Sequence, residues 1–213
     1  MQKEKQIALT FDDGPNTGTT AEILDLLAAH GARASFFVIG ENITDESAPV
    51  LRRAFDMGCE IGNHSLTHSY MDSMSADEIR AEIETTSAKI EQITGRRPRF
   101  FRPPYIAVSE TLFAAADMPF ICGRGVDDYL DSVSTAQRVE GVLRQLRGGG
   151  IILLHDKEDN FRTVEAVRQL LPIMLSDGWQ LVTVSELFDS RGITPQPRIL
   201  YSYTEQTTMY AEE

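Results

Sequence analysis

Residues 6–40 read QIALTFDDGPNTGTTAEILDLLAAHGARASFFVIG. The apolar run Ile7 to Phe11 predicts a strand, Thr20 to His30 a helix, and Ser35 to Ile39 a second strand. Alternation of this kind is the pattern of a parallel α/β sheet with crossover helices. His30 stands just before Gly31, where a helix end accounts for both residues.

The same alternation continues outward from this unit. Further strands are expected at Glu60 to Gly62, Phe100 to Arg102, Phe120 to Gly123, Ile151 to Leu154 and Gln180 to Val184, making seven. Helices are expected at Ala48 to Met57, Ala76 to Thr94, Glu110 to Ala116, Thr135 to Leu146 and Thr163 to Ser176. Ser75 with Glu78 reads as a capping box, and Gly95 stops that helix. Ser134 caps a helix whose Val139, Val142, Leu143 and Leu146 form one apolar stripe. Gly148-Gly149-Gly150 ends it, and without a following Lys-Ser/Thr it reads as a turn rather than a phosphate loop. One domain is expected over residues 1–193, with 194–213 an extended tail packed against it.

The balance of 32 acidic against 20 basic residues gives a net charge of -12, which disfavours nucleic acid and anionic membranes as partners. A neutral or cationic substrate is expected instead. No apolar run reaches the roughly 18 residues of a membrane span. The start MQKEKQIALTF carries no secretory leader, which leaves a cytoplasmic protein and a module of a longer exported one both open. Cys59 and Cys122 read as small buried residues rather than a disulfide, and a monomer is expected.

Residues able to do chemistry collect at the C-terminal ends of the predicted strands, where parallel α/β barrels place their active sites. Asp12-Asp13 follows the first strand, His64 the third, Arg102-Pro103-Pro104-Tyr105 the fourth, Asp127-Asp128 the fifth and His155 the sixth. His64 and His68 are four apart, which on a helical turn puts both rings on one face. Two imidazoles and a carboxylate suit a divalent transition metal with a position left for water. Adjacent aspartates repel unless a cation or an arginine compensates, and Arg102 can supply that charge. The competing reading of Asp-Asp-Gly-Pro is a solvated turn. His155 follows an apolar run, so burial disfavours its charged form and a carboxylate such as Asp128 would restore it; a core histidine with one hydrogen bond is the alternative.

The set TFDDGP, HSLTH, RPPY, VDDY and LLHD resembles the five motifs of the polysaccharide deacetylases, the NodB-like carbohydrate esterases of family four, over residues 5 to about 190. Within that family the chain is most similar to clostridial acetylxylan esterase modules. The resemblance implies a distorted (β/α) barrel of about seven parallel strands. It makes Asp13, His64 and His68 ligands of Zn2+ or Co2+, Asp12 the catalytic base and His155 the catalytic acid. It further implies that Arg102 orients Asp12, Asp128 tunes His155, the Tyr105 N–H joins an oxyanion hole and Leu153 lines the acetyl pocket. Tyr129 stands where the family commonly has Trp, and Ile106 where peptidoglycan deacetylases usually have Gly. The implied substrate is an acetylated polysaccharide, with O-acetyl groups of xylan ahead of N-acetylglucosamine in peptidoglycan or chitin. Two other classes are an inactive carbohydrate-binding relative and a metal-independent amidohydrolase on the same barrel.

Overall fold

A computed structural model describes residues 5–210. The N-terminal four residues and the last three of the expected tail lie outside the described residues. The chain runs β1 (Gln6–Asp12), α1 (Thr19–His30), β2 (Ser35–Val38), α2 (Ala48–Asp56), β3 (Glu60–Asn63), α3 (Ala76–Thr94), α4 (Glu110–Ala115), β4 (Phe120–Ile121), α5 (Thr135–Arg144), β5 (Ile151–His155), α6 (Phe161–Ser176), β6 (Gln180–Leu181), α7 (Val184–Arg191) and β7 (Leu200–Tyr201).

β1 is the hub of the parallel sheet. It pairs with β5 from Ala8 to Asp12, with β2 from Thr10 to Asp12 and with β6 at its first two residues. A strand paired on both sides and covered by helices has no wet face, which is why its run is apolar almost throughout. Its side chains still divide by period two. Ile7, Leu9 and Phe11 join Ile23, Leu27, Leu170 and Met174 in the layer between sheet and helices, whereas Ala8 meets Phe37, Ile121 and Ile151 inside the barrel. Thr10 and Asp12 share the inward face of Ala8, and the register sets Asp12 opposite both Phe37 and His155.

The barrel is distorted and is not closed by continuous ladders. β3 reaches β4 only through single parallel bridges, Asn63 to Phe101 and Phe101 to Phe120, and the circuit returns to β5 through one bridge from Arg124 to Ile152. The strand expected at Phe100 to Arg102 is therefore reduced to one bridging residue. Pro103 and Pro104 follow it directly, and neither has an N–H to extend a ladder. The strand expected through Val184 stops at Leu181, because Thr183 and Glu186 form a capping box that opens α7. In the tail, β7 pairs in parallel with β4, and the buried Tyr201 packs on Phe188. The capping boxes at Ser75 and Ser134 are present, as is the left-handed Gly31 cap of α1. Cys59 is buried, Cys122 is half-buried, and both are free.

Candidate active site

The ends of β1, β3 and β5, with the Pro103–Ile106 turn and the loop carrying Tyr129, surround one cleft of about 620 Å³. Asp12, Asp13, His64, His68, Tyr105, Tyr129, Leu153 and His155 all line it, together with Tyr70, Pro103, Ile106 and Lys157. Arg102 and Asp128 lie beneath it, both without solvent exposure. Every residue to which the family resemblance assigned a role is thus brought to one place.

Arg102 holds the floor. Its Nη1 donates to Asp12 Oδ1 at 2.5 Å, its Nη2 to the Thr10 hydroxyl at 2.8 Å and its Nε to the Ile121 carbonyl at 3.3 Å. The guanidinium also lies over the Phe37 ring, 4.1 Å from its centroid. This is a buried charge pair in which each of the three guanidinium nitrogens makes a hydrogen bond, not a surface ion pair. Asp12 Oδ2 is left facing His64 Nε2 at 3.6 Å.

His64 and His68 meet by a different route from the helical turn that their spacing suggests. Residues 64–68 form an irregular loop in which Ser65 and His68 both have positive φ, at 67° and 57°. Side chains hold this loop through its backbone. Asn63 Oδ1 accepts from Ser65 N–H, Glu82 Oε2 accepts from Leu66 and Thr67 N–H, and the Ser65 hydroxyl accepts from His68 N–H. Such local bonds outcompete a helix when Asn, Ser and Glu are placed to make them. The rings end with centroids 4.9 Å apart.

The donor set fits a metal ion. His64 Nδ1 donates to the Arg102 carbonyl at 2.6 Å, so the neutral ring presents the lone pair of Nε2 to the cleft. That Nε2 and the Nε2 of His68 stand 3.5 and 3.3 Å from Asp13 Oδ1. Ligands about 2.0–2.1 Å from a tetrahedral ion stand about 3.3–3.4 Å from each other. Asp13 Oδ1 is buried and has no hydrogen-bond partner, an expensive state for a carboxylate oxygen unless a cation completes it. Burial pushes the Asp13 carboxyl up, but His64 and then His155 and His68 outweigh it and hold it at about 2. Burial lowers His68, and the neighbouring His64 adds to this, which favours its neutral, metal-binding form. Burial lowers His64 too, yet Asp12 and Asp13 raise it overall, so this end of the cleft attracts a positive charge.

Opposite, His155 Nδ1 donates to Asp128 Oδ1 at 2.7 Å. Asp128 Oδ2 accepts from the His155 backbone N–H at 2.8 Å and from the Thr163 hydroxyl at 2.7 Å. The buried Arg138 donates to Thr163 Oγ1 and Asn160 Oδ1, and Asn160 in turn donates to the carbonyls of Asp128 and His155. Burial lowers His155, but the Asp128 hydrogen bond and charge, with Asp12 and Asp13, raise it to about 9. It is therefore protonated at neutral pH and can give up a proton.

Asp13, Ser65, His68, Tyr105, Ile106 and Asp127 all have positive φ, and all lie in or beside this cleft. Backbone strain in non-glycine residues gathers where geometry serves a site. The Tyr105 N–H opens a single helical turn, Pro104–Ile106, and has no acceptor among the described residues. Sequence reasoning passed over Tyr70, Lys157, Thr163, Asn160 and Arg138. It also passed over Asp156, whose buried carboxylate accepts from Gly14 N–H and the Thr20 hydroxyl and so ties down the loop after Asp13. Only Tyr70, two residues beyond His68, and Asp156 and Lys157, next to His155, had a signal in position.

The polysaccharide deacetylase family model matches residues 1–120. A bifunctional xylanase/deacetylase of Pseudobutyrivibrio xylanivorans is 44% identical over 194 residues, covering 91% of this chain and 32% of its own length. The peptidoglycan-N-acetylmuramic acid deacetylase PdaC of Bacillus subtilis is 36% identical, covering 86% of this chain and 39% of its own length. The chain thus spans only 32% and 39% of the length of these two relatives. Among solved structures, the Xyl-CE4 domain of a multidomain xylanase from the hindgut metagenome of Trinervitermes trinervoides superposes with a TM-score of 0.92 at 44% identity, covering 94% of this chain and 98% of that one. A family 4 acetyl xylan esterase from Clostridium thermocellum, in complex with a cobalt ion, gives 0.91 at 40% identity, covering 95% and 100%. This chain belongs to the polysaccharide deacetylase family, hydrolases that act on carbohydrate acetyl groups.

Proposed function

We propose that this chain is a metal-dependent deacetylase that removes O-acetyl groups from xylan, acting as a monomer. The observation that carries the reading is the pairing, across one cleft, of a three-ligand cluster beside the Arg102-held Asp12 with a protonated His155 backed by Asp128. Asp13, His64 and His68 would hold the ion, zinc or cobalt. When bound, it would polarise the acetyl carbonyl and acidify a water molecule.

Arg102 occupies Asp12 Oδ1, so Oδ2 is the oxygen that takes the proton from attacking water. The water oxygen bonds to the carbonyl carbon, and the Tyr105 N–H donates to the developing oxyanion, a contact worth about 3 kcal/mol. As the bond from carbonyl carbon to sugar oxygen breaks, His155 gives its Nε2 proton to that oxygen and acetate leaves. Asp128 keeps Nδ1 protonated throughout, fixing the ring for this transfer. Leu153 supplies the apolar wall for the acetyl methyl.

The similarity to the Pseudobutyrivibrio enzyme and to the Xyl-CE4 domain supports xylan. The similarity to PdaC supports a second reading, N-deacetylation of peptidoglycan, which the same groups could perform on an amine leaving group. An inactive binding relative is disfavoured because each residue type that the proposed reaction needs occurs in or directly beneath the one cleft. Acetate release from acetylated xylan, chitooligosaccharides and peptidoglycan, with and without a chelator, tests these readings together. Release from xylan that stops on chelation is expected. Release from none, or release that survives complete metal removal, would sink the proposal.

A further inference from the structure

Exposed aromatic rings are unevenly distributed over this molecule. Among the described residues, the strongly exposed aromatics are Tyr70, Tyr105, Tyr129, Phe161 and Tyr210, and the first three line the cleft. Tyr70 and Tyr105 are stacked, with centroids 3.9 Å apart and planes 12° from parallel. Tyr105 is in turn edge-on to His68 at 4.7 Å. The stack therefore stands directly against a proposed metal ligand. Tyr129 holds the other side, edge-on to His155 at 5.3 Å.

A parallel stack covers one face of each ring. Tyr70 nevertheless keeps 57% of its surface exposed and Tyr105 54%, so the outer side of the pair is open to solvent. Neither phenol oxygen has a hydrogen-bond partner among the described residues. Positive φ at Tyr105, with Ile106 beside it also left-handed, fixes the backbone that presents this ring. Rigid aromatic rings in water beside a reaction centre are costly to leave bare and mark a surface that a ligand covers.

We propose that the Tyr70–Tyr105 stack is a platform for a sugar ring of the substrate, adjoining the acetylated residue on the His68 side of the cleft. The ligand chemistry this selects is a neutral pyranose with an apolar C–H face and hydroxyls around its rim. The face packs on the ring, and the hydroxyls reach the two unpartnered phenol groups. Apart from the protonated His155, which is paired with Asp128, Lys157 is the one cation lining the cleft among the described residues, and its Nζ already donates to the Tyr129 carbonyl at 3.0 Å. A chain of carboxylated sugars is thus poorly matched. The platform rests on the deacetylase reading, but it adds a substrate of more than one residue and makes Tyr70, outside the reacting centre, a specificity determinant.

The test compares Tyr70→Ala, Tyr70→Phe and the unaltered protein on acetylated xylotetraose and on methyl acetate, a small ester with no ring to pack on Tyr70. In Tyr70→Ala, kcat/KM for the tetraose relative to the small ester should fall roughly tenfold, mostly through KM, as expected for one lost ring-sized apolar contact. Tyr70→Phe should retain most of the ratio, since it keeps the stacking face. Acetylated xylose in place of the tetraose should show no such loss. If the unaltered protein deacetylates the tetraose and Tyr70→Ala leaves the ratio unchanged, the platform is wrong and the deacetylase reading stands. If the unaltered protein releases acetate from neither the tetraose nor chitotetraose, the deacetylase reading fails and the platform falls with it.

Discussion

The two ends of the cleft are finished differently. Around His155, both Asp128 oxygens accept hydrogen bonds, and Thr163, Asn160 and Arg138 continue the network into the body of the protein. Around Asp13, the nearest nitrogens stand at 3.3 and 3.5 Å and Oδ1 has no hydrogen bond. Asp13 and His68 also sit in left-handed backbone. A buried polar atom without a partner costs about 1–3 kcal/mol, and strained backbone costs about as much again. The His155 end is therefore complete once the chain folds, whereas the Asp13 end keeps an unsatisfied carboxylate oxygen that a cation would complete.

Asp13→Asn and Asp128→Asn separate these ends. Asn keeps the shape of each side chain and tolerates the φ of 79° at Asp13. Asp13→Asn should cut acetate release about 10³-fold or more, as chelation of the unaltered protein should, because the ion's contribution amounts to several kcal/mol. Its metal-free Tm should fall less than that of Asp128→Asn, since attraction to the neighbouring histidines is lost but no hydrogen bond is. Asp128→Asn should instead lower the metal-free Tm by about 5 °C, because donors at His155 and Thr163 lose an acceptor. Added zinc or cobalt should raise Tm in the unaltered protein and in Asp128→Asn, but not in Asp13→Asn. Equal losses of metal-free Tm in both variants would erase the contrast.

Arg102 holds Asp12 and, through its carbonyl, His64, and its replacement should fall next in size. Arg102→Lys keeps the charge but cannot hold Asp12, Thr10 and the Ile121 carbonyl at once. A base displaced by a fraction of an ångström should cost about 10²-fold in kcat with little change in KM. Steady-state kinetics on acetylated xylan checks this, and a rise in KM alone would place Arg102 in substrate binding instead.

A pH titration of metal-free stability distinguishes the two ends by sign. His155 is raised from 6.5 to about 9, so its pairing with Asp128 stabilises fully below pH 6.5 and is lost as pH rises through 9. The loss is on the order of 3 kcal/mol. Asp13 is lowered from 3.8 to about 2, so its stabilisation is present above pH 3.8 and is lost as pH falls towards 2. Denaturant unfolding should show the alkaline fall in the unaltered protein and in Asp13→Asn, and its absence in Asp128→Asn. An alkaline fall that survives Asp128→Asn would assign it to another group.

The residue types at strand ends were legible because the chemistry of Asp, His and Arg does not depend on the exact loop that carries them. What the spacing misjudged was conformation. Residues 64–68 fold on side-chain bonds from Asn63 and Glu82 rather than as a helical turn, and the latter partner is sixteen residues away. Phe100 to Arg102 has strand composition, but two prolines cut its ladder to a bridge. α7 was readable from Thr183 and Glu186, the same signal that located the Ser75 helix. The Arg138 and Asn160 support of the His155 end was not, because it depends on α5 and α6 lying side by side, which no local pattern reports.

The smallest predicted effect lies at the rim of the His155 end. Tyr129 is exposed, and its ring meets His155 edge-on without a hydrogen bond to it. The family commonly carries Trp at this position, so Tyr129→Trp enlarges the wall beside the leaving group while leaving Asp128 and the network beneath it untouched. Stability should stay within about 0.5 kcal/mol, as for other exposed positions. KM should shift a few-fold, in opposite directions for acetylated xylan and chitooligosaccharide if the wall discriminates between the two sugars. The added indole also covers more of His155, which disfavours its charged form and should move the alkaline limb of kcat slightly downward. A parallel change on both substrates with an unmoved limb would reduce Tyr129 to a solvent-facing residue and confine discrimination to the tyrosine stack opposite.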